Sequence, residues 1–318
     1  MTQASDSSSQ DSHHALWADA ALFSVALIWG VNIPLMKICF APQEPTGSGF
    51  SGFGLDEFVF NAVRLVIASA TLAAFAWREH RSAKNPPPGI SWRQTLIYAA
   101  LVSVSYQALF LLGIARTTSG NTALIITTIP MWTALLAHIF LRETLRRLAW
   151  LGLAIAMAGT AIVALQKGDV TADQQHLWGN LLVLAAALFW SCGTVYSRRL
   201  LTSVTPLRLS ATAAVLGLPV HLLLAAGRYQ ENLPKLSSVS LWLIIVYSGV
   251  FSTGLALPMW NLGVRRAGAA HAAIFQNLVP LFAIFSAWVV LGEAATLAQW
   301  CGGALILSGL VMMRWKRA

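Results

Sequence analysis

The feature that most constrains this chain is a stretch of sequence that occurs twice. Residues 130–159 read PMWTALLAHIFLRETLRRLAWLGLAIAMAG, and residues 280–309, displaced by 150 positions, read PLFAIFSAWVVLGEAATLAQWCGGALILSG. Apolar bias alone does not produce matched Pro, Glu, Trp and Gly residues. An internal repeat is evidence for a repeated structural unit and takes precedence over local sequence patterns, so we predict that the chain is a duplicated unit. Without a gap, the copies pair Pro130/Pro280, Leu141/Leu291, Glu143/Glu293, Trp150/Trp300, Gly152/Gly302 and Gly159/Gly309.

The composition places this repeat in a membrane. Of 318 residues, 57% are hydrophobic and 10% are charged, whereas a soluble domain carries roughly a quarter charged residues. The apolar residues form segments of about 18–22 residues, the length of a helix that crosses roughly 30 Å of hydrocarbon. We therefore predict an all-α polytopic membrane protein with ten transmembrane helices. The segments are residues 17–39, 57–77, 95–115, 120–141, 147–166, 178–199, 207–226, 241–263, 268–291 and 296–314.

Lys and Arg residues indicate the orientation of the chain, because cytoplasmic loops carry them in excess. With the N-terminus inside, the inner connections and the C-terminal tail hold fifteen of the 21 Lys and Arg residues, and the outer connections hold four. Both termini are therefore predicted to be cytoplasmic, and residues 1–16 to form a disordered cytoplasmic tail. The basic residues lie in short clusters at helix ends, so the net charge of +9 reflects topology and not a nucleic-acid partner.

The number of helices predicts how the two copies are related. Five helices per copy is an odd number, so the second copy must enter the membrane from the opposite side. Residues 17–166 and 178–314 are thus predicted to be inverted five-helix repeats. Many secondary transporters have this architecture and bind substrate near the midplane, at the interface of the repeats. The first helices of the two repeats also correspond, at a displacement of 161, in Trp29/Trp190 and Lys37/Arg198.

Several motifs resemble a known family. The first segment, IWGVNIPLMK, is similar to a W-G-x-N…K opening, and FNAVRLVIASATL resembles the second helix of the same family. Both copies carry Glu, Trp, Gly and Gly at the spacing of its signature. The family is the EamA-type group of the drug/metabolite transporter superfamily. The resemblance implies a ten-helix inner-membrane carrier, and many such carriers export amino acids or other small metabolites.

Arg64 is the charged residue best placed for a substrate role. It lies about six residues, roughly 9 Å, inside the outer end of the second segment. Intramembrane charges are costly and usually face water or a partner, so this cation is a candidate for holding a substrate carboxylate. The alternatives are that it snorkels to the outer interface or that it pairs with Asp56 or Glu57.

Three tryptophans, Trp29, Trp132 and Trp190, lie about twelve residues into their segments, near the midplane. An indole N–H at that depth needs a buried partner or cavity water. We expect at least two of the three to line a substrate cavity, with core packing as the alternative. Other polar side chains at similar depth either line the same cavity or bond helices together: Asn32, Tyr106, Gln107, Thr127, Thr128, Ser191, Thr253, Gln276 and Asn277.

Thr127 and Asn277 form a repeat-related pair, and each lies three residues before a proline of the repeat. Pro130 and Pro280 each free a backbone carbonyl. The two prolines are therefore candidate bending points for gating, with a static kink as the alternative.

The acidic residues lie away from the midplane. Glu143 and Glu293 occupy helix–loop junctions, where a local ion pair or a turn-fixing role is favoured over ion coupling. None of the twelve Asp and Glu residues lies at mid-membrane depth, which argues against a carboxylate proton relay. His138 and His221 are the titratable alternatives, and both are interpreted more simply as packed helix histidines.

These patterns favour a secondary transporter or facilitator that exports small organic metabolites, above all amino acids, across the inner membrane by alternating access. The alternatives are a drug or nucleotide-sugar type carrier of the same superfamily and a non-transporting membrane scaffold or sensor. An intramembrane enzyme would need a metal cluster, a nucleophile elbow or paired carboxylates at depth, and the sequence has none of these motifs. We expect a small-molecule substrate and the lipid bilayer as partners and no cofactor, metal or nucleic acid. A monomer is compatible with the pattern.

Overall fold

The structure is a computed structural model that describes residues 2–41, 43, 52–83, 88–117, 119–165, 176–291 and 296–314. Within these ranges every regular element is a helix. The α-helices are α1 (Thr2–Phe40), α2 (Glu57–Ser82), α3 (Trp92–Ala99), α4 (Tyr106–Ile114), α5 (Ser119–Ile126), α6 (Ile129–Leu141), α7 (Arg147–Leu165), α8 (Leu177–Leu200), α9 (Pro206–Ala225), α10 (Tyr229–Asn232), α11 (Val239–Tyr247), α12 (Ala256–Ala267), α13 (Ala269–Ile274), α14 (Val279–Leu291) and α15 (Leu297–Arg314).

Many of these helices are suited to crossing a membrane. Two shorter apolar helices, Arg147–Val163 and Leu297–Met312, accompany the longer ones, and the chain is an all-helical multi-pass membrane protein. Helix α1 includes the polar start of the chain, where the sequence predicts a disordered tail, and only its part from Leu16 onward is a candidate span. Among the described residues, eight helical stretches are long and apolar enough to cross a membrane: Leu16–Phe40, Glu57–Ser82, Trp92–Ile114, Asn121–Leu141, Leu177–Leu200, Pro206–Asn232, Val239–Ala267 and Ala269–Val290.

Two of these spans contain a π-helical segment at repeat-related positions. Residues Ala100–Ser105 join α3 to α4, and residues Ser248–Leu255 join α11 to α12. Displaced by 150 positions, the first segment falls within the second. A π-helical segment interrupts the regular i→i−4 hydrogen bonds and frequently marks a functional site. Inside hydrocarbon such an interruption needs partners from neighbouring helices.

A second pair of breaks precedes the two prolines of the repeat. Two residues separate the end of α5 from the start of α6, and Pro130 lies in the first turn of α6. Helix α13 ends at a 3₁₀ turn, Phe275–Leu278, and α14 then begins with Pro280 as its second residue. Proline lacks an N–H and its ring clashes with the carbonyl four residues earlier, so the helix is interrupted before it. The breaks predicted at both prolines are present, and their role in gating stays a prediction.

Helices of the first half, up to residue 165, pack mainly on helices of the second half, from residue 176 onward. Helix α1 packs on α12 and α14, α2 on α9, α4 and α6 on α8, and α7 on α15. The largest hydrophobic core accordingly draws residues from both halves, among them Leu22, Tyr98, Trp190 and Trp260. The interior of the molecule is therefore shared between the two sequence copies.

Glycines of the repeat permit the contact between α7 and α15. A Cβ added to Gly302 would lie 2.6 Å from the carbonyl oxygen of Gly159, and one added to Gly159 would lie 2.5 Å from that of Gly302. A Cβ on Gly309 would lie 2.4 Å from the Gly152 carbonyl oxygen. Small residues let membrane helices approach this closely, so the matched glycines have a structural role.

We expect Gly302→Ala to destabilise the folded protein by about 1–3 kcal/mol, because overpacking a close contact forces the backbones apart. The measurements are the midpoint of thermal unfolding in detergent and the monodisperse yield by size-exclusion chromatography. Gly227→Ala is the matched control, because a Cβ there meets nothing within 4 Å. Equal midpoints for the two variants would contradict this account of the α7–α15 contact.

Candidate functional site

A narrow pocket lies between the C-terminal end of α1, the N-terminal end of α2, and α4. Glu57 is the first residue of α2, and Arg64 lies two turns further into that helix. The pocket has a volume of only ≈ 30 Å³, enough for about two water molecules. Its wall combines apolar and polar side chains: Met36, Phe40, Glu57, Phe60, Asn61, Arg64, Gln107, Phe110 and Leu111.

Arg64, partly buried in this pocket, has neutral hydrogen-bond partners. Its Nε donates to Oδ1 of Asn61 at 2.9 Å, and its Nη1 donates to Oγ1 of Thr253 at 3.4 Å. In the part of the chain that the structure describes, no carboxylate forms a salt bridge with Arg64. Asp56 instead lies 3.1 Å from Nε of Arg228 and accepts hydrogen bonds from the first turn of α2. The pairing of Arg64 with Asp56, one of the alternatives from the sequence, is therefore not what the structure has.

Aromatic rings from four helices meet next to this pocket. The ring centroids of the repeat mates Trp29 and Trp190 are 5.7 Å apart, and Tyr106 lies 4.8 Å from Trp190. Trp260 on α12 completes the aromatic cluster, at 5.6 Å from Trp29 and 5.9 Å from Trp190. Nε1 of Trp29 donates to the Ser252 carbonyl, in the second π-helical segment, at 2.9 Å. The indole therefore supplies a partner at one of the helix interruptions.

Four of the predicted site residues carry buried polar atoms without a partner among the described residues. They are Oδ1 of Asn32, Oε1 of Gln107, Nε1 of Trp190 and Oε1 of Gln276. Most buried polar groups in proteins are hydrogen-bonded, so each exception requires an explanation. Polar atoms that serve a substrate for part of a transport cycle are one such explanation.

The remaining predicted site residues make local hydrogen bonds at the helix breaks. Oγ1 of Thr127 donates to the Leu124 carbonyl at 2.7 Å, and Nδ2 of Asn277 donates to the Ile274 carbonyl at 3.2 Å. Nε1 of Trp132 donates to Oγ1 of Thr128, on the same span, at 3.1 Å. These bonds satisfy groups beside Pro130 and Pro280, and a direct substrate contact by these side chains stays a prediction.

Glu143 links the two halves at the far end of the bundle. Its Oε1 and Oε2 accept hydrogen bonds from the backbone N–H groups of Ala269 and Ala270 at 3.1 and 3.0 Å, and Nε of Arg198 lies 3.7 Å from Oε1. The N-cap residue of α13 is Gly268, which has no side chain that could accept a hydrogen bond, so the Glu143 carboxylate caps the helix instead. A carboxylate suits a helix N-terminus, where N–H groups lack intrahelical partners. The sequence favoured a local ion pair or a turn-fixing role, whereas the ion pair that the structure has is with Arg198, in the other half of the chain; Glu293 lies outside the described residues.

Sequence reasoning missed two members of the site, Asn61 and Trp260. Asn61 carries a signal that helical spacing would have found, because it precedes Arg64 by three residues and so lies on the same face of α2. Trp260 carries no such signal. It follows a π-helical segment, which changes the face on which later residues of the span lie.

These features define the class of the molecule: it is a multi-pass membrane protein of the transporter type. The model of the EamA-like transporter family matches residues 16–165 and again residues 177–315. The chain therefore belongs to the EamA-like transporter family, whose members are transporters and not enzymes.

Curated relatives and a solved structure agree with this assignment. The chain is 24% identical over 293 residues to the uncharacterized transporter YoaV of Bacillus subtilis, covering 92% of this chain and 94% of that one. It is 25% identical over 293 residues to the uncharacterized inner membrane transporter YedA of Escherichia coli K12, covering 92% and 89%. An uncharacterized transporter of Methanothermobacter thermautotrophicus is 27% identical over 313 residues, covering 95% and 87%. A crystal structure with 19% identity superposes with a TM-score of 0.74, covers 93% of this chain and 95% of that chain, and shows the same fold.

We expect Glu143→Gln to destabilise the protein by about 1–2 kcal/mol, because the amide nitrogen cannot accept a hydrogen bond and leaves one N–H at the start of α13 without a partner. The midpoint of thermal unfolding of the purified variant measures the loss. Glu231→Gln is the control, since Glu231 is an exposed acid on the short α10. If the two variants unfold at the same temperature, the cross-half cap contributes nothing.

Proposed function

We propose that this transporter exports small organic metabolites, above all amino acids, across the inner membrane by alternating access. In this proposal all ten apolar helices cross the membrane, both termini are cytoplasmic, and residues 17–166 and 178–314 act as inverted repeats. The observation that carries the substrate assignment is Arg64, a cation held by neutral partners in a pocket whose walls are largely apolar.

The chemistry of the pocket fits an amino acid with an apolar side chain. A guanidinium pairs with a carboxylate through parallel charge-assisted hydrogen bonds, and Arg64 has N–H groups left for such a ligand. Phe40, Phe60 and Phe110 offer aromatic surface to an apolar group. The carboxylate of Glu57, on the same wall, offers the opposite charge to an ammonium group.

The size of the pocket indicates that binding requires helix movement. Small-molecule sites usually enclose roughly 300–1,000 Å³, and the pocket at Arg64 has ≈ 30 Å³. Helices α1, α2 and α4 must therefore separate to admit an amino acid. The interrupted spans supply bending points for such a movement, at the two prolines and at the two π-helical segments.

Contacts at both ends of the bundle fit an alternating mechanism. At one end the Glu143 carboxylate joins the two halves. At the other end Lys235 donates to the Gly54 carbonyl and Asp56 pairs with Arg228, which again joins α2 and its preceding loop to the second half. Opening one set of contacts while the other stays closed would expose the pocket to one side at a time.

We expect Arg64→Ala to reduce transport of labelled L-phenylalanine into proteoliposomes at least about tenfold, the effect of removing a charge-assisted hydrogen bond. Arg64→Lys keeps the charge without the fork geometry and should retain part of the activity. Competition by 3-phenylpropionate, and none by 2-phenylethylamine, would show that the carboxylate is what Arg64 recognises. Arg116→Ala is the control, since Arg116 is an exposed cation bonded to the Leu112 carbonyl.

Membrane abundance of each variant is measured alongside transport. If Arg64→Ala loses abundance as much as it loses transport, Arg64 belongs to folding and not to the substrate site. If purified wild-type protein moves no labelled amino acid from a full panel, with or without a pH gradient, the amino-acid assignment fails, and the alternatives of a drug or nucleotide-sugar type carrier and of a non-transporting scaffold or sensor replace it.

A further inference from the structure

A chain of buried hydrogen bonds connects Arg64 to a histidine on another helix. Nε of Arg64 donates to Oδ1 of Asn61 at 2.9 Å, and Nδ2 of Asn61 lies 3.1 Å from Nδ1 of His221, on α9. Nε2 of His221 lies 2.7 Å from the Ser103 carbonyl oxygen. His221 is 1% exposed and Asn61 is 3% exposed, so neither side chain exchanges these partners for bulk water.

Close approach of α9 to the first π-helical segment makes this chain possible. Gly217 lies one turn before His221, and a Cβ added to it would lie 2.1 Å from Oγ of Ser103. A larger residue at position 217 would hold α9 away from Ser103. The imidazole thus reaches a carbonyl of the π-helical segment as a consequence of close helix packing.

The two ends of the chain fix the direction of every bond in it. The Ser103 carbonyl oxygen can only accept, so Nε2 of His221 carries the hydrogen. Nε of Arg64 can only donate, so Asn61 must turn its oxygen toward Arg64 and its amide nitrogen toward His221. Nδ1 of His221 must then accept from Asn61. The chain is consistent with one state of the ring, the neutral tautomer with hydrogen on Nε2.

A charged His221 is incompatible with the same arrangement. The imidazolium donates from both nitrogens, so Asn61 would have to reverse its amide and place its NH₂ against the N–H of Arg64. Arg64 is the charged side chain in this chain of bonds. Tyr106, on α4, lies close to the site. On the elements packed against α9, the other titratable groups are Tyr98 bonded to Asn261, Glu57 at the start of α2, Arg228 just after α9, and Arg78, Glu79, His80, Arg81, Arg93, Arg265 and Arg266 towards the opposite end.

The chain of bonds determines where the guanidinium of Arg64 points. A guanidinium is planar and presents five donors in a rigid fork, so fixing the Nε–H bond fixes the plane of the whole group. One further donor, on Nη1, faces Oγ1 of Thr253 at 3.4 Å. The rest of the fork is left for a ligand in the pocket that Arg64 lines together with Gln107.

We infer that His221 is a positioning residue for substrate recognition. As a neutral imidazole with hydrogen on Nε2, it holds the amide of Asn61 in one orientation, and Asn61 in turn holds the Arg64 fork toward a substrate carboxylate. The inference rests on the proposed function for the identity of that carboxylate. The orientation of the bonds themselves does not depend on it.

Two substitutions at one position separate this role from a merely structural one. In His221→Asn, the new amide oxygen can occupy the position of Nδ1 and accept the hydrogen bond from Nδ2 of Asn61. The hydrogen bond to the Ser103 carbonyl is lost. In His221→Gln, the new amide nitrogen can occupy the position of Nε2 and donate a hydrogen bond to the Ser103 carbonyl. Nδ2 of Asn61 then has no acceptor. Each variant loses one hydrogen bond, so a purely structural role predicts equal effects on ligand binding.

The binding experiment uses full-length protein in nanodiscs, with 3-phenylpropionate as the carboxylate probe and quenching of tryptophan fluorescence as the signal. We expect His221→Gln to bind the probe about tenfold more weakly than His221→Asn, the effect of one misdirected hydrogen bond to a charged group. Unfolding midpoints for both variants show whether they fold equally well. Equal affinities for the probe in two folded variants would overturn the inference.

A second measurement is independent of any ligand. In ¹⁵N-histidine-labelled protein, the signals lost in His221→Gln identify the ring among the seven histidines. We expect a neutral ring protonated at Nε2, with an Nδ1 signal that shifts in Asn61→Leu; a ring protonated at Nδ1 would overturn the inference. If wild-type protein shows the expected ring but binds no 3-phenylpropionate, the carboxylate assignment of the proposed function fails while the hydrogen-bond chain is supported.

Discussion

Backbone polar groups inside a membrane must find partners within the protein, and this constraint decides where polar side chains occur here. Two spans carry π-helical segments and two more are interrupted before a proline. At the π-helical segments the carbonyls of Ser103 and Ser252 accept from His221 and Trp29. At the interruptions before the prolines, Thr127 and Asn277 bond to carbonyls of the preceding turn. The polar side chains of the interior therefore occur where the helices are interrupted, because they supply the hydrogen bonds that the interruptions need.

The compensating bonds at the two π-helical segments cross between the two sequence copies, as does the cap on α13. Trp29 of the first half bonds to Ser252 of the second, His221 of the second half bonds to Ser103 of the first, and Glu143 of the first caps α13 of the second. Helices of the two halves pack mainly on each other, so each π-helical segment lies against helices of the other half. A displacement of one half against the other therefore changes the hydrogen bonds at the breaks. These cross-half hydrogen bonds therefore couple a rearrangement of the helix bundle to the positions of the side chains around Arg64 and in the aromatic cluster.

The sequence predicted the features that depend on position along the chain. Matched prolines predicted the breaks, and equal depth in their segments puts Trp29 and Trp190 at the same level, where their rings meet. That these tryptophans line a substrate cavity stays a prediction. Depth gives the height of a residue in the membrane but not the face of the helix on which it lies. Trp132 has the same depth and bonds within its own span, whereas Trp260 joins the aromatic cluster after a π-helical segment has changed the face of its helix. His221, interpreted from its segment as a packed histidine, is packed and also bonded to the Arg64 site, which only the three-dimensional neighbours reveal.

The neutral partners of Arg64 give its charge a function that a carboxylate partner would remove. A salt-bridged arginine is satisfied permanently, whereas Asn61 and Thr253 hold the geometry of Arg64 without forming an ion pair. Part of the Arg64 side chain is still exposed in the narrow pocket, and complete closure of the pocket would remove the remaining water from a cation that has no salt-bridge partner among the described residues. Removing a charge from water without a counter-charge costs several kcal/mol. A ligand carboxylate offsets that cost, so an anionic group in the pocket favours closure and an empty pocket opposes it. In the proposed function, the charge that selects the ligand would thereby also link its binding to the movement that carries it across.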